Sequence, residues 1–477
     1  MYSITFLARR SAWLGAAAAA ILAAPWQNPA AAQSVRPLAY SRTVLPNGLV
    51  VLLNEDHSSP VVAYDVWYHV GAKDEHAGGH GFAHMCEHIM GQGSPNEPLE
   101  PKLFLAQRGG RSTHWAETTQ DITHYYATIP SNQLETALWL ESDRMAVPLA
   151  NADSAHLASV VAVILQERAQ QEESKTFGFA EALITRAIMD APYQIDPIGD
   201  PPDLTAATPA DAKAFCLPYY APNNAVLALS GDFSSARAKA LITKYFGSIP
   251  RHAIPAHPTI HTPVSTVEHR LVLEDARARG TQFRRVWVGA GTDDPDRLAL
   301  VALGSILSRD RVGRLSKALV YDRPLATFVN AMNFDIEKSG VFQILITPRP
   351  GASLTTIEQV VDSVVADVRE HGVTAEELEP YKKSNAVQAI TFLQSRESRA
   401  DTLAHDEIFS GDPVAYVKQV SATSALTPPD IQRVARQYLT SGGVEISLVP
   451  AGKLDLIAKP ELPYKNVTPA PVAKVTP

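Results

Sequence analysis

His84, Glu87 and His88 are the residues whose types and spacing best suit chemistry. They lie within Gly81–Gly93, G-F-A-H-M-C-E-H-I-M-G-Q-G. Two imidazoles four apart on a helix can grip one metal ion, and a carboxylate beside them can act as base toward a water that the ion activates. At about 100° per residue, Glu87 falls near −60° and His88 near +40° from His84, while Phe82, Met85 and Ile89 gather at roughly 100° to 160°. The predicted helix therefore has an apolar face for the core and a separate His-Glu-His face. Spacing alone leaves a second reading equally open, a polar helix face that carries two histidines by chance. A catalytic zinc takes three protein ligands and keeps a position for water. Glu167, in the segment Gln166–Glu173, is the candidate third ligand for one zinc per chain, although Glu167, like Glu172 and Glu173, also reads by itself as a surface acid. Glu87 would take the proton of the attacking water and return it to the leaving amine of a peptide. His252, His257 and His261 fall in a stretch rich in proline and threonine where nothing fixes their geometry, and they read as part of a solvated linker.

The elements that must position these groups follow from local patterns. Asn47-Gly48 between apolar runs in Thr43–Asn54 predicts a hairpin. Val61–Val70 and Ile122–Ile129 read as strands, the second closed by Pro130. Leu134–Met145 has helical spacing. Val160–Leu165 has the composition of a buried strand, but its polar continuation has no turn residues, so Ala155–Glu173 is expected to be one long helix. Thr208-Pro209 opens a helix as N-cap and first residue. Ala225–Gly231 reads as a strand, followed by a helix to Phe246. In the second half, strands are expected at Leu271–Glu274, Phe283–Gly289, Leu325–Phe334, Val341–Thr347 and Val444–Val449. Helices are expected at Asp296–Leu319, Leu354–Val368 and Glu376–Phe392. The pattern is α+β, two homologous domains, each a mainly antiparallel sheet packed with helices. The expected boundaries are an N-terminal domain at 33–248, a linker at 249–269, a C-terminal domain without the metal motif at 270–458, and a disordered proline-rich tail at 459–477.

Composition limits the class. The chain has 477 residues, 45% hydrophobic and 19% charged, as a multi-domain globular protein does. The first 32 residues hold Arg9 and Arg10, an apolar run Ala12–Pro25 and an Ala30-Ala31-Ala32 cleavage site, and read as a signal peptide; an uncleaved anchor is the other reading. Without them the formal charge deepens from −8 to −10, which argues against nucleic acid and anionic membranes as main partners. No later segment has the length of apolar sequence that a transmembrane helix needs. An alanine-rich signal points to a bacterial periplasm. That compartment is oxidising, but the two cysteines, Cys86 and Cys216, are expected to stay unpaired, because a disulfide inside the His84–His88 motif would distort the metal helix.

With these residues in place, the sequence resembles the pitrilysin/insulinase family of zinc peptidases, whose motif is an inverted H-x-x-E-H. The resemblance includes Leu45-Pro46-Asn47-Gly48-Leu49, Val70-Gly71-Ala72, Leu138–Met145, Ile164-Leu165-Gln166-Glu167-Arg168, Ile198-Gly199-Asp200, Tyr219–Ala225 and Gly231-Asp232-Phe233. It extends from about Thr43 to about Val449 and is weaker in the second half. It implies that His84, His88 and Glu167 are zinc ligands and Glu87 the general base. In the family's short members two such chains close like a clamshell, and unfolded peptides pair with an edge strand near the zinc.

Three departures qualify what the resemblance implies. Val160 stands where the family has a second glutamate seven residues before the third ligand. The family's Asn-Ala-x-Thr stretch on the substrate strand becomes Trp115-Ala116-Glu117-Thr118, so Trp115 and Thr118 are the expected substrate contacts with Trp in place of Asn. The family's Arg and Tyr, seven apart in the domain facing the zinc, hold the substrate backbone and the oxyanion. Here Val320 and Thr327 stand at those positions, with Tyr321 and Arg323 off register. The expectation is a periplasmic zinc metalloendopeptidase acting on peptides or small unfolded polypeptides. It would be the catalytic subunit of a heterodimer whose homologous partner lacks H-x-x-E-H and supplies the Arg/Tyr pair. A non-catalytic assembly subunit of the same fold and a processing protease with one dedicated precursor are the alternatives.

Overall fold

The structure, a computed structural model, describes residues 35–111, 115–150 and 152–467, so the expected signal peptide at 1–32 lies outside the described residues. Leu45–Gly48 turns the chain as the Asn-Gly pair predicts. Gly48 has φ +96°, and a Cβ there would come within 2.5 Å of Asn223, so both conformation and space select glycine. The turn joins β1 (Ser41–Val44) to β2 (Val50–Glu55), and the Asn47 amide donates to the carbonyls of Phe246 and Ile249. The other strands of this half are β3 (Val61–Tyr68), β4 (Ala116–Thr118), β5 (Thr123–Pro130) and β6 (Ala225–Gly231). They form a sheet in the order β1-β2-β6-β3-β5-β4, antiparallel except for β2 with β6, so β4 is an edge strand.

The second half contributes β7 (Glu268–Asp275), β8 (Gln282–Gly289), β9 (Ala326–Asp335), β10 (Gly340–Pro348), β11 (Gly443–Pro450) and β12 (Lys465–Val467). Their order is β12-β7-β11-β8-β10-β9, again mostly antiparallel, with β7–β11 and β7–β12 parallel. The central run β7-β11-β8-β10 repeats β2-β6-β3-β5, which is the internal duplication read from the sequence.

Side chains alternate along the strands and divide each sheet into two faces. On β3, Val62, Tyr64, Val66 and Tyr68 enter the main core of the first half together with the helix Phe82–Met90. Ala63 and Trp67 face the other way and pack against Ala400, Leu403 and Ala404 of the helix Arg396–Ser410, which comes from the second half. The exchange is reciprocal. Ala180 and Ile184, on the helix Ala180–Ile188 of the first half, cover Leu271, Leu273, Val286, Val444, Ile446 and Leu448 of the second sheet. A buried polar joint adds to this. Lys73 Nζ donates to Asp121 at 3.0 Å and also to Glu337, while Asp121 accepts from Tyr193 OH at 2.6 Å and from the Glu337 amide at 2.7 Å. Asp121 sits in the turn between β4 and β5, so the second half fixes the edge strand of the first.

Three expectations about chain elements differ from the structure. The helix foreseen over Asp296–Leu319 stops at Ser308, because the chain turns through Arg311 at φ +64° and resumes helically only at Arg314. The tail expected to be disordered from 459 is ordered through Val467. Lys459 Nζ pairs with Glu358 at 2.8 Å, and Lys465–Val467 adds to the open edge of β7 through a main-chain ladder that needs no particular side chains. The linker histidines are held: His252 Nδ1 lies 2.5 Å from the Leu217 carbonyl and His257 Nδ1 2.7 Å from Asp74 Oδ1. Among the described residues no helix is long and apolar enough to cross a membrane.

Candidate metal centre

The helix Phe82–Met90 begins at Gly81, whose φ is +101° and where a Cβ would come within 2.7 Å of Gly199 Cα. The helix start and the Ile198-Gly199-Asp200 loop therefore pack backbone to backbone. Two buried amides at the start, those of Gly81 and Ala83, donate to the two oxygens of Glu75 at 2.8 Å each. A carboxylate in that place satisfies orphan donors and faces the positive end of the helix. Burial pushes the Glu75 carboxyl well above its usual range against the pull of those two amides. Phe82, Met85 and Ile89 are buried, as the angular separation predicts. Tyr220 OH donates to the Ala83 carbonyl at 3.0 Å and ties the helix to the chain before β6.

Cys86 and Cys216 are joined by a disulfide, which corrects the expectation that both stay unpaired. The physical reason lies in the helical wheel. Cys86 lies two residues after His84, about 200° around the helix, on the buried face. The bond runs to the helix Pro209–Tyr219 and leaves the His-Glu-His face undisturbed.

That face meets the end of the helix Ser154–Arg168, which starts at its N-cap Asp153 and runs on into one wider turn to Glu173, as one continuous element. Arg168, next to Glu167, donates to the Gly199 carbonyl at 2.7 Å and pairs with Glu172 at 2.8 Å, which fixes this helix against the start of the other. The structure brings His84, His88 and Glu167 together. His84 Nε2 and His88 Nε2 are 3.1 Å apart, and Glu167 Oε2 is 3.6 Å from the first and 3.4 Å from the second. A tetrahedral ion with bonds of about 2.0–2.1 Å sets its ligand atoms about 3.3 Å apart. The donor set fits zinc in both type and spacing.

Electrostatics match the geometry. Burial, and then the charge of His88, lower the His84 pKa to about 4, which keeps that imidazole neutral. Burial also works against a charged His88, but the hydrogen bond and charge of Glu167 outweigh it and raise its pKa. Glu167 is half-exposed, and His88 and His84 draw its carboxyl below the usual range despite partial burial. The Glu87 carboxyl is pushed up, chiefly by burial and further by the charge of Glu167, while a hydrogen bond from Thr118 and the charge of His88 oppose the shift.

These groups line a cavity of about 760 Å³ whose described walls come from the first half. Trp115 forms part of the wall. It has φ +33°, lies against Tyr125 with ring centres 5.4 Å apart, and flanks Gly91, where a Cβ would come within 3.0 Å of the indole. Thr118 is also on the wall, with its hydroxyl donated to Glu87 Oε2 at 2.6 Å rather than left for a substrate. Val160, where the resemblance places a second glutamate, is fully buried in the main core. Val320 packs against the second core and Thr327 is exposed on β9, and neither borders the cavity. Sequence reasoning missed Glu75 and Tyr220, since each contacts the metal helix through the backbone and no side-chain pattern marks such contacts.

Fold and donor set together define a class, the two-domain α+β metallopeptidase type with an inverted motif. The particular family follows from comparison. The family profile "Insulinase (Peptidase family M16)" matches residues 50–201 and "Peptidase M16 inactive domain" matches residues 206–385. The chain belongs to the insulinase family, peptidase family M16. The zinc protease PqqE of Helicobacter pylori is 26% identical over 415 residues, which is 85% of this chain and 91% of that protein. The crystal structure of a protease from Helicobacter pylori superposes with TM-score 0.79 at 24% identity, covering 87% of this chain and all of the other. The first half of the periplasmic protease PqqL from Escherichia coli gives TM-score 0.68 at 17% identity, covering 86% of this chain and 92% of that one.

Proposed function

We propose that the chain is a zinc-dependent endopeptidase acting on peptides or small unfolded polypeptides. One observation carries this reading. His84, His88 and Glu167 present three donors at the edge lengths of a tetrahedron, with the carboxylate of Glu87 beside them in a wide cavity. A zinc ion held by those donors supplies a Lewis acid that acidifies a water and polarises a peptide carbonyl. Glu87 holds the proton that the water gives up and returns it to the leaving nitrogen. Its raised pKa keeps it basic enough for the first transfer and acidic enough for the second. β4, the edge strand of the sheet, offers main-chain groups to an extended peptide, and Trp115 supplies an apolar wall beside it. The test is Glu87→Gln, assayed on unstructured peptides. It should abolish hydrolysis while zinc at His84, His88 and Glu167 is retained as in the native protein, and retained hydrolysis would overturn the reading.

The finer reading is a periplasmic catalytic subunit whose homologous partner supplies an Arg/Tyr substrate clamp. The Cys86–Cys216 disulfide supports an oxidising compartment. Among the described residues the cavity wall contains none of the second half, and Val320 and Thr327 bring no donor to it, which supports a clamp from another chain. Assaying the chain alone and with a homologue that lacks the metal motif tests this. Full activity alone, unchanged by the second chain, would sink it.

A further inference from the structure

We propose that Asp65, His124 and Asp401 form a second divalent-cation site, on the opposite face of the first sheet from His84, His88 and Glu167. The register of the sheet creates it. Trp67 pairs with His124 across β3 and β5, Asp65 pairs with Tyr126, and Glu117 of β4 lies opposite His124. Asp65 and His124 therefore project from the face that the helix Arg396–Ser410 covers, and this helix brings Asp401 over them. Asp65 is 1% exposed and His124 7%. The three residues each offer a donor atom, all within 4.8 Å of one another. His124 Nδ1 lies 3.1 Å from Asp65 Oδ1, and His124 Nε2 lies 3.6 Å from Glu117 Oε2.

Charge is the reason to place a cation there. Some buried carboxylates of the chain meet lysine or arginine, as Asp121 meets Lys73 and Glu358 meets Arg270, and others meet neutral donors, as Glu75 meets the amides of Gly81 and Ala83. The charged groups facing Asp401 are Asp65, His124, His405 and Glu117, so three carboxylates surround two imidazoles. Among the described residues, Asp65 pairs with His124 and Asp401 has no hydrogen-bond donor. Carboxylates set close together where burial is partial still need compensating positive charge, and Asp65 among them is fully buried. Protons can supply it: burial and the charge of Asp65 raise the Asp401 pKa to about 7, and Asp65 holds the imidazolium of His124 to a pKa of about 10 against the effect of burial. A divalent ion supplies the same charge at one point and displaces those protons. One imidazole and two carboxylates suit zinc or manganese. A cavity of about 500 Å³, bordered by Trp67, Glu117, His124, Asp401 and His405, gives an ion entry and room for waters to complete its shell.

The site joins parts of the chain far apart in sequence. An ion there pins a helix of the second half to the first sheet. It also sits behind the edge strand β4, where Glu117 faces it and the neighbouring Thr118 faces Glu87.

The experiment uses the full chain and its His84→Ala/His88→Ala variant, which removes the first site. Each is titrated with Zn2+ and with Mn2+ by calorimetry, and metal per chain is measured after dialysis. Two ions per chain are expected for the native protein and one for the variant, whose melting temperature should rise on adding metal. Adding Asp401→Asn, a near-isosteric change at a half-exposed position, should weaken this remaining ion by about tenfold or more and abolish the thermal shift. Asp65→Asn should do the same, with circular dichroism confirming the fold of each variant. If His84→Ala/His88→Ala binds no ion, or if its ion is indifferent to Asp401→Asn, the cluster holds protons rather than a cation and the proposal fails.

Discussion

Thr118 Oγ1 lies 2.6 Å from Glu87 Oε2, so the edge strand β4 is hydrogen-bonded to the candidate base itself. β4 is short, three residues, and among the described strands pairs with β5 alone. Whatever pairs with its outer edge is thereby linked by one hydroxyl to the carboxylate that must change protonation state.

Removing that hydroxyl tests the coupling. The hydrogen bond favours the charged form of Glu87, so Thr118→Ala should raise a pKa that burial already pushes up. A base must be ionised to act, so the acidic limb of kcat/KM should move to higher pH. A hydrogen bond to a charged group is worth about 1.5–3 kcal/mol, so activity below the shifted limb should fall by roughly ten- to a hundredfold, with a smaller loss at alkaline pH. The pH–rate profiles of the two proteins measure this.

Glu167→Gln keeps the shape of the third donor and removes its charge. His88, whose pKa is raised by the hydrogen bond and charge of Glu167 together with the charge of Glu87, should titrate lower in the metal-free protein. Zinc affinity should fall by about 100-fold or more, read by competition with a chromophoric chelator. Thermal stability without metal should change little, because the side chain is half-exposed.

The disulfide should contribute to stability rather than chemistry. It closes a loop across a separation of 130 residues, and losing a native disulfide typically costs about 2–5 kcal/mol. Cys86→Ala/Cys216→Ala, or reduction with dithiothreitol, should lower the melting temperature by several degrees while zinc still binds in the cold. Calorimetry with and without reductant checks it.

Glu75→Ala should loosen the metal helix at its start. It strands two buried amides, at about 1–3 kcal/mol for each unmet donor. Glu75→Gln keeps a neutral acceptor and should recover part of the loss. Melting temperatures of the two variants, compared with their zinc affinities, separate a stability effect from an effect on the site.

How much of this could be read from the sequence depends on how local the cause is. The Asn47-Gly48 turn, the alternation of Val62, Tyr64 and Val66, and the Thr208 cap with its Asp211 partner are short-range and legible. His84, Glu87 and His88 share one helical turn, and the pattern shows them directly. The helices Ala180–Ile188 and Arg396–Ser410 left a weaker trace. Each buries only a narrow stripe, and the surface it covers belongs to the other half of the chain. Asp65, His124 and Asp401 come from three segments that only strand register and helix exchange bring together. The Cys86–Cys216 bond is not legible, because spacing along the chain says nothing of which side of a helix its partner approaches.

The exchanged helices carry a consequence for taking the molecule apart. Cutting within residues 249–269 would not release two self-sufficient pieces. One fragment would expose Leu52, Ala63 and Trp67, and the other Leu271, Val286 and Ile446, each surface roofed in the intact chain by a helix that left with its counterpart. Such fragments should aggregate when made apart and recombine when made together. For the same reason the intact chain should melt in a single calorimetric transition, two look-alike halves behaving as one unit of folding.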